Sequence, residues 1–183
     1  MAIRPRKKRL DLRSDSTTSK FEIRSPVQLL QLVQDKVSPG DDVLSIIAKV
    51  FNIRVEYLPL DPDVSGSLSF DNSLNQWLIS INSLHHPRRQ RFTFAHELAH
   101  FFLHKNKQRD FTDTVFFRSE NVKNNIEFEA NNFAGALLMP KDEFVDYIRN
   151  TSNNIENISE KFNVSAMAVK VRADIIRGNR CEF

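Results

Sequence analysis

Apolar residues along the chain recur at two spacings, one helical and one extended. Pro26 followed by Val27, Leu29, Leu30 and Val33 predicts a first helix with proline in its first turn. Ser38-Pro39-Gly40 marks a turn, and Asp41 or Asp42 can cap a second helix bearing Val43, Leu44, Ile47, Ala48 and Phe51. Ile53 to Leu58 is β-branched and aromatic enough for a strand, with Pro59, Pro62 and Gly66 punctuating a loop behind it. Trp77-Leu78-Ile79-Ser80-Ile81 predicts a second strand, closed by Asn82-Ser83. A longer helix starts near Pro87 and ends after His104, with Phe92, Ala95, Leu98, Ala99, Phe102 and Leu103 at its period. The polar stretch Lys105 to Asn125 reads as a long connection of the kind that carries function, and beyond it comes a helix that Pro140 stops. Near the end, Ile158 to Ser165 followed by Ala168, Val171 and Ile175 has helix-turn-helix spacing, with Asn163 able to take the left-handed turn and Ser165 to cap.

Composition adds limits. With 40% hydrophobic and 27% charged residues the chain resembles an ordinary globular protein, and its apolar runs are too short for a membrane-spanning helix of about 20 residues. No secretory leader is recognisable, so a cytoplasmic location is expected, and the lone Cys181 has no partner for a disulfide. Residues 1–13 hold six cations against the single Asp11, a net +5 in a chain of net +3, which leaves −2 for the remainder. Residues 1–20 therefore read as a flexible basic arm, available for weak nucleic-acid contact or merely solvated. The rest divides into a core over residues 21–150 and a helical segment over 151–183.

The candidate chemistry lies on the long helix. His96-Glu97-Leu98-Ala99-His100 is an HExxH pattern: at about 3.6 residues per turn both imidazoles project from one face and can reach one ion, best zinc. Glu97, about 100° round the helix from His96, reaches the ion's water as general base instead of replacing a ligand. Catalytic zinc keeps three protein ligands and one open position. The metzincin position for a third histidine is Asn106, and His104 lies a further turn along, so it reads as structural. The following helix offers Glu127 and Glu129. Glu127 shares a face with Ala130, Ala134 and Leu137 and is the expected ligand, whereas Glu129 points with Asn132 toward solvent. Asn131, one turn beyond Glu127, is placed to hydrogen-bond a ligand histidine.

Asn82, Arg91-Phe92-Thr93, His96 to His100, His104, and Glu127-x-Glu129-Ala130-Asn131-x-Phe133-Ala134-x-x-Leu137-Leu138-Met139-Pro140 resemble the ImmA/IrrE family of metallopeptidases, from about residue 43 onward. The resemblance implies an α+β fold: a zincin-like core of a small sheet, the HExxH helix and a glutamate helix, with the C-terminal helix-turn-helix-like segment appended. It also implies zinc as the metal and cleavage of a regulatory protein, typically a repressor encoded nearby. The chain ends at Phe183, so the extra sensory domain of some members is not expected. The strand carrying Trp77, Ile79 and Ile81 is the expected edge for an extended peptide. Lys170, Arg172 and Arg177 in the C-terminal helices can touch DNA or keep a helix soluble. The competing readings are a non-catalytic zinc-stabilised regulator binding DNA or a repressor, and a toxin–antitoxin component. Glu97 argues against a purely structural site, which needs no general base.

Overall fold

The computed structural model describes residues 23–107, 109–114 and 123–178. The basic arm, Cys181 and part of the Lys105 to Asn125 connection lie outside the described residues. Among those described, the order is α1 (Pro26–Val33), α2 (Val43–Val50), β1 (Ile53–Leu58), β2 (Val64–Asp71), β3 (Gln76–Asn82), α3 (Pro87–His104), β4 (Asp110–Thr114), α4 (Lys123–Leu138), α5 (Lys141–Asn150), α6 (Ile155–Lys161) and α7 (Ala166–Arg177). The mixed α+β architecture agrees with the sequence reading.

Local chemistry starts these elements where the pattern places them. Ser25 and Gln28 form a reciprocal capping box ahead of Pro26, and Asp42 caps α2 by accepting from the Ser45 amide. Arg91 of α3 pairs with Asp42, which ties the cap of α2 to the long helix. Pro140, which ends α4, opens α5 at the same time. Asn163 takes φ of 49°, and Ser165 accepts from the Ala168 amide to start α7.

The sheet differs from expectation in two places. Its order is β1-β3-β2-β4, with β1 parallel to β3 and the other pairings antiparallel. Gly66 sits inside strand β2 instead of a loop, and the long connection after α3 contains β4. Serine and glycine in β2, and the single apolar Phe111 among the polar residues of β4, are weak strand formers alone; pairing with each other and with β3 makes them strands. It follows that β3, bearing Trp77, Ile79 and Ile81, has both sides taken and cannot offer an edge. Among the described residues the edges are β1 and β4.

Helix α3 packs against β2, β3 and α4. Leu68, Ile79 and Ile81 from the sheet, Ala95, Leu98 and Ala99 from α3, and Ala130, Phe133 and Ala134 from α4 are all fully buried. The alanines at these positions allow the two helices to approach closely, which matters because each carries part of the site. Asn82 staples the segment behind β1, its amide donating to Asp61 and Val64 carbonyls at 3.1 and 2.8 Å.

The C-terminal pair packs on this core through α4 and α7. Arg172 is buried there, donating from Nε to the Met139 carbonyl at 3.1 Å and from a terminal nitrogen to Asn132 Oδ1 at 3.4 Å. Arg172 is thus unavailable to DNA, and Asn132 faces the interior, not solvent, because the two satisfy each other where α7 crosses α4. Lys170 and Arg177 remain exposed. No helix among the described residues is long and apolar enough to cross a membrane.

Candidate metal centre

His96 and His100 lie one turn apart on α3, and burial of its inner face removes both from solvent. Their Nε2 atoms are 2.9 Å apart. Glu127 of α4 brings Oε2 to 3.3 Å from His96 Nε2 and 3.5 Å from His100 Nε2. The three expected residues therefore converge, and they form a His/His/Glu group able to hold a metal ion.

The outer nitrogens decide the chemistry of the inner ones. His96 Nδ1 lies 3.1 Å from Asn131 Oδ1, as expected for Asn131, so that the ring donates there and turns its Nε2 lone pair inward. His100 Nδ1 lies 3.0 Å from His104 Nδ1, which calls for one donor and one acceptor. Two inward lone pairs and a carboxylate oxygen that no donor among the described residues reaches leave a cluster of acceptors, a donor set suited to a cation.

Electrostatics agree. Burial pushes the His100 imidazole down to about 4, against the attraction of Glu127. Burial alone would push Glu127 up, but the adjoining His100 and His96 rings outweigh it and bring the carboxyl down to about 2. At neutral pH the site thus offers a neutral His100 imidazole and an ionised Glu127 carboxylate, the protonation states that metal ligation requires.

Glu97 is fully buried on the same helix, beside the strand below. A β-carbon added at Gly66 would lie 3.2 Å from Glu97 Oε1, 2.9 Å from the Ser80 carbonyl and 2.5 Å from Thr93 Cγ2. Glycine is what lets β2 run directly under this carboxylate. A bulge between Val64 and Gly66 in the β2–β4 pairing lies at the same point. Phe111 of β4 stacks on His100 with centroids 4.6 Å apart, bringing that edge strand to the site.

The pattern along the chain did not reveal the role of Glu129. Expected to face solvent, it brings Oε2 to 3.0 Å from Nε2 of the buried His104. Its spacing from His104, 25 residues on another helix, left no local signal.

Comparison with known proteins follows the same lines. Residues 48–174 match the IrrE N-terminal-like domain. The chain belongs to this family. It is 38% identical over 103 residues to the Metallopeptidase ImmA of Bacillus subtilis (strain 168), covering 55% of this chain and 57% of that protein. It is 32% identical over 133 residues to the Radiation response metalloprotease IrrE of Deinococcus radiodurans, covering 70% of this chain and 38% of that protein. Among solved structures, a Mycobacterium tuberculosis transcriptional regulator shares the fold at a TM-score of 0.59 and 16% identity, over 81% of this chain and 46% of the other. The chain spans about half the length of the curated relatives it matches, between 38% and 57%.

Proposed function

We propose that this chain is a zinc metallopeptidase that cleaves a regulatory protein, a transcriptional repressor encoded nearby. The observation that carries the reading is the meeting of His96 Nε2, His100 Nε2 and Glu127 Oε2 beside the buried Glu97. The names of the relatives, Metallopeptidase ImmA and Radiation response metalloprotease IrrE, support proteolysis.

In this reading His96, His100 and Glu127 hold zinc, and Asn131 keeps the His96 ring in the tautomer that ligation needs. Bound zinc supplies Lewis acidity, polarising a peptide carbonyl and easing deprotonation of water. Glu97 accepts the proton from the attacking water at its carboxylate and delivers it to the leaving amine. The substrate edge moves from β3 to β4: among the described residues no strand pairs with the outer side of β4, and Phe111 sets it against His100. An extended peptide added there would pass the ligand cluster, with backbone hydrogen bonds supplying affinity. The peptidase unit in this reading is residues 21–150, and helix α7 of the segment that follows packs on its α4.

The test pairs elemental analysis with cleavage of the neighbouring-gene repressor. The native chain should carry one zinc per chain and cut the repressor. Glu97→Gln should keep the zinc and lose activity by about 100-fold or more, the usual scale of a general base. Undiminished cutting by that variant would remove Glu97 from its role, and a zinc-free active chain would remove the metal.

A further inference from the structure

Beyond the ligands, an unbroken row of polar contacts leads outward from the site. His100 Nδ1 meets His104 Nδ1 at 3.0 Å, and His104 Nε2 meets Glu129 Oε2 at 3.0 Å. His104 is fully buried, while the Glu129 side chain is 42% exposed. The row therefore runs from the interior of α3 to the surface of α4.

Only one arrangement of protons satisfies both contacts when His100 turns an unprotonated Nε2 toward the ligand cluster. His100 then carries its hydrogen on Nδ1 and donates it, so His104 Nδ1 must accept. A neutral His104 accepting at Nδ1 carries its own hydrogen on Nε2, and that hydrogen points at a carboxylate. Every donor faces an acceptor along the row.

We propose that His104 and Glu129 are positioning residues for the metal ligand His100, a carboxylate–imidazole relay that fixes its tautomer and ring orientation. The proposal rests on the reading of His96, His100 and Glu127 as a metal site. Behind His96 stands the Asn131 amide, and behind His100 stand two residues in series that end on a charge. Glu129 polarises His104, which becomes a better acceptor for His100 and makes the His100 Nε2 lone pair more basic. The two glutamates of α4, two residues apart, thus serve one site in different ways: Glu127 reaches the ligand cluster, and Glu129 braces a ligand from behind.

The relay is tested with the full chain by measuring zinc affinity in competition with a chromophoric chelator. His104→Leu and Glu129→Ala should each weaken zinc binding by about tenfold or more, the usual cost of removing a partner behind a metal ligand. Glu129→Gln, which keeps an acceptor but no charge, should recover part of the loss. His104→Asn, whose Oδ1 can stand in for Nδ1, should fall between native and His104→Leu. Long-range proton–nitrogen NMR spectra of the zinc-loaded native chain should show His104 protonated on Nε2 alone. Native affinity in Glu129→Ala, with binding abolished by His96→Ala, would overturn the relay and leave the metal site standing. Absence of stoichiometric zinc from the native chain would overturn the metal site and the relay with it. Glu129 is partly exposed, so its variants decide the matter even if His104→Leu fails to fold.

Discussion

Two imidazoles one helical turn apart serve one cation only if both present the same nitrogen to it. In this chain that choice is made by Asn131 behind His96 and by His104 behind His100, and both leave Nε2 facing inward. Holding the His100 ring neutral has a consequence for stability. Burial brings His100 to about 4 from an ordinary 6.5, so as pH falls an unfolded chain takes up this proton first. The unfolded state then binds more protons than the folded one, and stability declines as pH drops from 6.5 toward 4. Urea midpoints of chelator-treated protein should accordingly be lower at the acid end of that window than above it. His100→Gln should flatten the slope, and a native profile that is already flat would mean that His100 is not held neutral.

Strand β2 and helix α3 meet at the site, and their approach depends on the missing side chain of Gly66. Its absent β-carbon would fall 2.5 Å from Thr93 Cγ2 and 2.9 Å from the rigid Ser80 carbonyl. Gly66→Ala should therefore force the strand away from the helix at a cost of about 1–3 kcal/mol, the range for overpacking a filled interior. Glu97 Oε1, 3.2 Å from the same point, would be displaced, whereas none of the three atoms nearest that point belongs to His96, His100 or Glu127. Peptide cleavage should then fall more than zinc affinity. Equal losses of both would show that the strand supports the whole site, not Glu97 in particular.

The C-terminal helices are fastened to the core by a buried cation. Arg172 reaches from α7 to the Met139 carbonyl at the end of α4 and to Asn132 within it, so that α4 is held on one side by α3 and on the other by α7. Arg172→Ala would leave those buried acceptors without their donor and open a void, costing about 1–3 kcal/mol for the unsatisfied groups alone. Urea unfolding should show the loss. Because α4 carries Glu127 and Glu129, zinc affinity should weaken too; a variant with native stability would mean that α7 is not anchored through this residue.

Local pattern was enough for much of this protein. Helical period, caps and breakers located α1, α2, α3 and the Asn163 turn before α7, since these depend on neighbours within a few residues. The spacing of His96, Glu97 and His100 put their side chains on adjoining faces of one helix, and the face of Glu127 followed from its alanine neighbours. Tertiary structure decided what depends on residues distant in sequence. Serine-rich β2 and polar β4 became strands through pairing, and the order β1-β3-β2-β4 closed both sides of Trp77, Ile79 and Ile81 and moved the free edge to β4. Burial turned Arg172 from a surface charge into an anchor, and packing of α3 on α4 turned Glu129 toward His104. A helix sets the direction of its side chains through its own backbone, but which partner waits there is set by the element that packs against it.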